Sequence, residues 1–251
     1  PYHVCGSQQD NTTLCTPFNW NQAAFETAQG GAAGAGSGGR GSRARAATAA
    51  SASPTDSTPA ALGATDITLG GMAESYQAGG GEPGYIGPDP LEPDQFYSGT
   101  NNGGYLDKYN RRTDVHREVN PYPWFYSGEA SKDIKERWQW TYPIIFSPIE
   151  PKTLYVSSQR LWRTMNGGRS WTALSGDLTR HDPKTMGHSG GPITGDMNGP
   201  EVYGVIFSVA PGKKSVHTIW TGSDDGFVHV TRNGGKTWTN VTPSDMPDFG
   251  R

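Results

Sequence analysis

One octapeptide occurs twice in this chain. Thr164-Met165-Asn166-Gly167-Gly168-Arg169-Ser170-Trp171 returns as Thr231-Arg232-Asn233-Gly234-Gly235-Lys236-Thr237-Trp238, 67 residues later. Its centre reads as a hairpin turn, because Asn and Gly tolerate the positive φ that tight turns require. The Ser/Thr and Trp that follow are expected to open a strand, with the indole free to pack. Each copy stands behind an apolar stretch, Leu161-Trp162-Arg163 or Phe227-Val228-His229-Val230. A single Asn-Gly-Gly would mean only a hairpin, whereas two copies of the whole pattern mean a structural repeat.

Other matches support a repeating unit. Pro90, Pro93 and Phe96-Tyr97 match Pro148, Pro151 and Leu154-Tyr155 at an offset of 58. Gly6 and its polar turn match Gly99 and its polar turn at an offset of 93, with low-complexity sequence between them. Residues 28–66 are Gly, Ala, Ser, Thr and Pro with Arg40, Arg43 and Arg45. They hold almost nothing to bury, so they read as a disordered insertion. Strands are expected at Tyr2–Gly6, Gln95–Gly99, Tyr105–Tyr109, Trp138–Tyr142, Ile144–Phe146, Leu154–Ser158, Leu161–Arg163, Val202–Val209, Thr218–Gly222 and Phe227–Val230. Polar connections are expected over 118–137 and 175–199. A unit of about 60 residues holding four short strands is a propeller blade. The expected fold is therefore all-β: a partial β-propeller of four-stranded antiparallel blades, about three to four of them, spanning 1–251 as part of a larger protein.

The octapeptide resembles the Asp-box, the BNR repeat of sialidase-like propellers, with Asn in the usual Asp position. Further stretches extend the likeness: Gly6 to Asn11, Gly79 to Pro90, Arg137 to Ile144, Ser175 to Asp182, and Trp220 to Gly226. In this order they resemble the sortilin-like BNR-repeat proteins, mostly bacterial and often named glycosyl hydrolases. Cys5, Cys15 and the low-complexity insertion depart from that pattern. The resemblance implies an extracytoplasmic propeller that binds a protein, peptide or glycan, with no catalysis expected. The alternative is a secreted glycoside hydrolase, sialidase-like or glucanase-like, using a carboxylate pair.

The repeat residues Asn166, Gly168, Trp171, Asn233, Gly235 and Trp238 are read as structural. Each Asn should bond within its own turn, and each Trp should pack between strands or blades. Gln9, Asp10, Asn11 and Glu82 lie in polar, Gly-rich turns and are the binding candidates. Asp10 and Glu82 are also the weak catalytic pair, since glycoside hydrolysis needs two carboxyl groups roughly 5 to 9.5 Å apart. Turn hydrogen bonding is the competing role for all four. Asp224-Asp225-Gly226 reads as a turn, with calcium as the lesser alternative because the spacing of a dedicated loop is missing. His181, Asp182, His188 and Ser189 share one loop, but no nucleophile elbow frames Ser189. Arg137, Arg160, Arg163 and Arg180 show no motif linking them into a carboxylate-gripping cluster.

Net charge is −3, which offers no electrostatic footprint for nucleic acid. No apolar run approaches the roughly 18 residues that would span a membrane. No cofactor is implied, and no His or Cys stands at metal-ligand spacing. Cys5 and Cys15 are the only cysteines. In an oxidising compartment they could close a small loop; two free thiols are the other reading. Asn11-Thr12-Thr13 and Asn240-Val241-Thr242 are glycosylation sequons, meaningful only in a eukaryotic secretory protein.

Overall fold

The computed structural model describes residues 3–7, 13–17, 75–81, 84–99, 105–124, 128–188 and 203–247. The low-complexity stretch 28–66 lies outside the described residues. The chain divides into two compact units, one of Pro1–Val4 with Thr16–Tyr76, the other of Cys5–Cys15 with Gln77–Arg251. In the first, the His3 ring tilts against Tyr76 with centroids 5.0 Å apart.

Two strands open the chain, β1 (His3–Ser7) and β2 (Thr13–Pro17), which form a two-stranded sheet. Cys5 and Cys15 are joined by a disulfide across it. Three four-stranded antiparallel sheets follow. The first contains β3 (Ile86–Pro88), β4 (Gln95–Gly99), β5 (Leu106–Asn110) and β6 (Val115–Glu118). The second contains β7 (Ile144–Phe146), β8 (Leu154–Ser157), β9 (Leu161–Thr164) and β10 (Thr172–Ala173). The third contains β11 (Ile206–Pro211), β12 (Ile219–Ser223), β13 (Val228–Thr231) and β14 (Thr239–Asn240). Each sheet keeps its strands in chain order, the meander of a propeller blade. The fold is all-β, a partial β-propeller. No helix among the described residues is long and apolar enough to cross a membrane.

The apolar core lies between blades. One cluster joins Tyr97, Leu106 and Val119 of the first blade to Ile144, Leu154 and Val156 of the second. Another joins Tyr155 and Leu161 of the second to Ile206, Val209 and Ile219 of the third. Alternation along each strand produces this, since successive side chains point to opposite faces. In β8, Leu154 and Val156 face the preceding blade while Tyr155 faces the following one.

Three expectations need correction. Trp138–Tyr142 is irregular with a turn at Trp140-Thr141, not a strand; its first and last aromatic rings, Trp138 and Tyr142, pack edge-on at 5.2 Å. The strand expected at Val202–Val209 runs instead from Ile206 to Pro211. β6 falls where no strand was expected, because its four residues are all exposed and carry no buried stripe.

The octapeptide turns join the third and fourth strands of blades two and three. In the first copy, Asn166 Oδ1 accepts from Thr164 Oγ1 (2.9 Å) and from the Ser170 amide (3.0 Å), and Asn166 Nδ2 donates to Ser170 Oγ (2.8 Å). Asn233 repeats all three bonds with Thr231 and Thr237. Both glycines of each turn have positive φ. Trp171 Nε1 donates to the carbonyl of Val119 (2.8 Å), and Trp238 Nε1 to that of Leu174 (3.0 Å). Each acceptor stands directly after the last strand of the preceding blade.

Candidate functional site

An antiparallel meander has two unlike ends. The first-to-second and third-to-fourth connections gather at one, here the turn end. The second-to-third turns and the long crossings between blades gather at the other, the loop end. The octapeptides occupy the turn end. The described parts of the crossings, 119–124 with 128–143 and 174–188 with 203–205, belong to the loop end, and buried charges collect there.

Arg137 organises the loop end between the second and third blades. Only 1% of it is exposed. Its Nε donates to the Gly204 carbonyl (2.8 Å), and one terminal nitrogen donates to Asp177 Oδ2 (2.7 Å) and Thr179 Oγ1 (3.1 Å). Its amide donates to Gln159 Oε1 (2.8 Å). The Arg137 guanidinium thus joins the two crossings, and its backbone amide adds the turn between β8 and β9. Asp177 Oδ1 also accepts from the Thr179 amide (2.9 Å) and hydroxyl (2.6 Å). Burial alone would raise the Asp177 carboxyl, but the bonds from Thr179, Arg137 and His181 outweigh it and hold it below the ordinary range.

Other charges here are engaged in the same way. Buried Glu136 accepts from Ser158 Oγ (2.9 Å) and pairs with Arg160 at 3.2 Å; burial pushes its carboxyl upward against those bonds. Asp224 Oδ1 accepts from the Gly204 and Val205 amides (3.1 and 3.0 Å). Asp225 Oδ2 accepts from the Arg180 amide (2.8 Å), and the Arg180 guanidinium lies 4.4 Å from the Phe227 ring centroid. Asp224-Asp225-Gly226 is therefore a turn whose carboxylates hold neighbouring backbone. Arg137 and Arg160 each pair with a different carboxylate, and Arg180 Nε donates to the Asp225 backbone carbonyl (2.6 Å).

His181 pairs with Asp177 (Nδ1 to Oδ2, 2.8 Å), not with its neighbour Asp182, which accepts from the Lys184 amide (3.0 Å). His181 holds φ of 51°, unusual for a residue with a Cβ, to reach that carboxylate. Ser189 lies outside the described residues.

A second imidazole–carboxylate pair has no counterpart among the sequence candidates. His116 Nδ1 stands 2.7 Å from Asp107 Oδ2, which also accepts from the Gly80 amide (3.0 Å). The pairing of β5 with β6 puts Asp107, Tyr109, His116 and Glu118 on one face, with the Tyr109 and His116 rings stacked at 4.4 Å. A cleft of about 280 Å³ opens there, lined by Gly80, Tyr105, Asp107, His116, Arg117 and Glu118. Such a pair fixes the tautomer and leaves Nε2 as the remaining nitrogen for proton transfer or hydrogen bonding. Sequence reasoning missed it because β6 carries no burial signal. The Asp107–Lys108–Tyr109 alternation was its one visible trace.

The candidates Gln9, Asp10, Asn11 and Glu82 lie outside the described residues. Their flanks are bonded to each other. Ser7 Oγ donates to the Gly84 carbonyl (2.6 Å) and accepts from the Gly84 amide (2.9 Å). Thr13 Oγ1 donates to the Gly79 carbonyl and accepts from the Ala78 amide (3.3 Å).

At the turn end, a cleft of about 360 Å³ lies between the first two blades, lined by Asp89, Tyr97, Lys108, Lys152 and Arg169 among others. Lys108 Nζ stands 5.4 Å from the Tyr97 ring centroid, and burial lowers its pKa. No group of three or more His, Cys, Asp or Glu among the described residues could hold a metal ion.

No known family profile matches the chain. A curated relative is a probable oligoxyloglucan-reducing end-specific xyloglucanase of Neosartorya fischeri, 26% identical over 168 residues, covering 62% of this chain and 18% of that protein. Among solved structures, a GH74 enzyme of Niastella koreensis superposes with a TM-score of 0.42 at 15% identity, over 70% of this chain and 26% of that one. YCF48 from Cyanidioschyzon merolae superposes at 0.35 and 13% identity, over 62% and 38%. The chain spans less than a fifth of the curated relative it matches. Its own sheet order and repeated turns make it part of a β-propeller.

Proposed function

We propose that residues 1–251 belong to a larger exported β-propeller that binds a protein, peptide or glycan at the loop end of its blades. In this reading the octapeptides are Asp-boxes in their Asn form and serve the scaffold. One observation carries the proposal: the buried loop-end charges each hold one crossing or turn to another, and exposed aromatic side chains stand at the same end of the blades. Trp124 is 51% exposed on the crossing 119–143, and Tyr85 is 40% exposed at the start of β3. Preorganised aromatic surface of this kind suits recognition, because little freedom is lost on binding. The Cys5–Cys15 disulfide supports an oxidising compartment.

The likeness to a xyloglucanase makes xyloglucan oligosaccharides the first ligand to titrate calorimetrically, with a peptide library second. Trp124→Ala is expected to weaken binding about tenfold, roughly 1.4 kcal/mol. Unchanged affinity in both Trp124→Ala and Tyr85→Ala would remove the loop end from consideration.

That same likeness favours a second reading, a secreted glycoside hydrolase with Glu82 and Asp10 as its carboxylates. The shared tethering of their flanks supports it. Reducing-sugar release that disappears in Glu82→Gln or Asp10→Asn would establish it, and release that survives both would end it.

A further inference from the structure

The three blades repeat one interface, and in the third its outward half is partly exposed: Trp220 and Ala210 are exposed, Val228 and Val241 are half-buried, and Val230 beside Trp220 is buried. The strand pairings place Tyr97 of β4, Tyr155 of β8 and Trp220 of β12 at equivalent positions, opposite Lys108, Arg163 and Val230. Each points toward the side on which the following blade lies. Tyr97 is 1% exposed and Tyr155 2%, both within the interblade cores. Trp220 is 41% exposed. Its neighbours on that face, Ser208 and Ala210 of β11, are also exposed.

The socket for the octapeptide indole repeats as well. Val119, Leu174 and Val241 each follow the last strand of a blade. Each donates its amide to the first residue of the third strand: Val119 to Leu106 (2.9 Å), Leu174 to Leu161 (2.7 Å), Val241 to Val228 (2.8 Å). A hydroxyl supports two of them identically, with Ser175 Oγ accepting from the Leu161 amide and Thr242 Oγ1 from the Val228 amide, both at 2.9 Å. The first two sockets receive an indole from the next blade, Trp171 on Val119 and Trp238 on Leu174. In each, a turn glycine approaches so closely that a Cβ would stand 2.6 Å from Val119 Cβ or 2.7 Å from the Leu174 carbonyl oxygen.

We propose that the face formed by Trp220, Ala210, Val228 and Val241 docks a further four-stranded blade whose own Asn-Gly-Gly or Asp-Gly-Gly turn presents a Trp to the Val241 carbonyl. This rests on reading the chain as part of a larger ring, but not on any assigned ligand. A second copy of residues 1–251 does not fit that role. Its two box indoles already bond to Val119 and Leu174, and its box glycines already press on those sockets. Continuity with the two existing interfaces identifies the occupant as another repeat.

The test compares the 251-residue chain with a chain in which residues 1–241 are followed by a second copy of residues 175–247. Both carry 5-fluorotryptophan, and Trp220→Phe assigns the fluorine resonance. The H2O–D2O shift of the Trp220 resonance should fall at least twofold in the extended chain. Changing the added box Trp to Phe should restore part of it. In the 251-residue chain, Tyr155→Ser should lower the urea midpoint markedly and Trp220→Ser should leave it in place; in the extended chain both should lower it. Trp220 staying as solvent-exposed after extension, whether the added repeat folds apart or not at all, would overturn the proposal. So would shielding of Trp220 in the 251-residue chain as concentration rises, with a dimer in sedimentation, because the occupant would then be a second copy.

Discussion

Arg137 and Asp177 show how much one ion pair can hold when it lies between distant segments. The guanidinium is buried, and its partner carboxylate is shared with Thr179 and His181. Removing one member of a buried pair leaves the other uncompensated, at a cost of about 3 to 5 kcal/mol. Arg137→Met should therefore destabilise the chain by about 3 kcal/mol in urea denaturation, with the largest loss of amide protection near Gly204 and Asp177. Equal stability would mean the network is dispensable. The Asp177 carboxyl also gives the protein an acid limit. Its folded pKa lies below the unfolded value of about 3.9, so its stabilisation is present above that pH and is lost as pH falls through the folded value. Asp177→Asn should flatten the stability profile below about pH 4, measured by thermal melts across the acid range. The pairing was not legible locally, since Arg137 and Asp177 are 40 residues apart; the resemblance carried by their two stretches does not join one to the other. The box asparagines were legible because their partners lie two and four residues away.

At the scale of elements, the octapeptide turn joins a hairpin to the neighbouring sheet. Trp171→Phe keeps the packing but removes the donor to Val119, which should cost about 1 kcal/mol. Gly168→Ala should cost more, because φ is 81° and the new methyl would meet the Val119 side chain. Chemical denaturation of both variants, with Gly176→Ala as an unstrained control, checks the order. A methyl group added at Gly176 would meet nothing within 4 Å. The turns could be read from sequence because Gly and Asn are demanded there by backbone conformation. β6 could not, because Val115–Glu118 is an exposed edge strand. Trp138–Tyr142 misled in the opposite direction: alternating aromatics usually mean a strand, yet here the first and last rings pack edge-on beside Arg137.

Across the whole molecule, stability resides between sheets. Leu161 is buried in the core shared by the second and third blades, so Leu161→Ala should cost about 2 to 5 kcal/mol and loosen both together. Hydrogen exchange followed by mass spectrometry should show protection falling in β8 and in β12 alike. Loss confined to β8 and β9 would contradict the shared core. The repeat itself was visible in the sequence, and so was the all-β class, because turn chemistry recurred at a regular spacing. The loop-end platform was not, because it is assembled from crossings whose contacts depend on how neighbouring blades meet.

Each indole reaches backward, from a later blade to the exit of the one before it. A ribosome delivers the blades in that same order. A nascent chain that has emerged only through Ala173 holds a second blade with nothing yet pinning its exit, and emergence of Trp238 supplies the pin. Each repeat is thus secured only by synthesis of its successor, so the protein should become resistant to protease in steps, one blade behind the growing end.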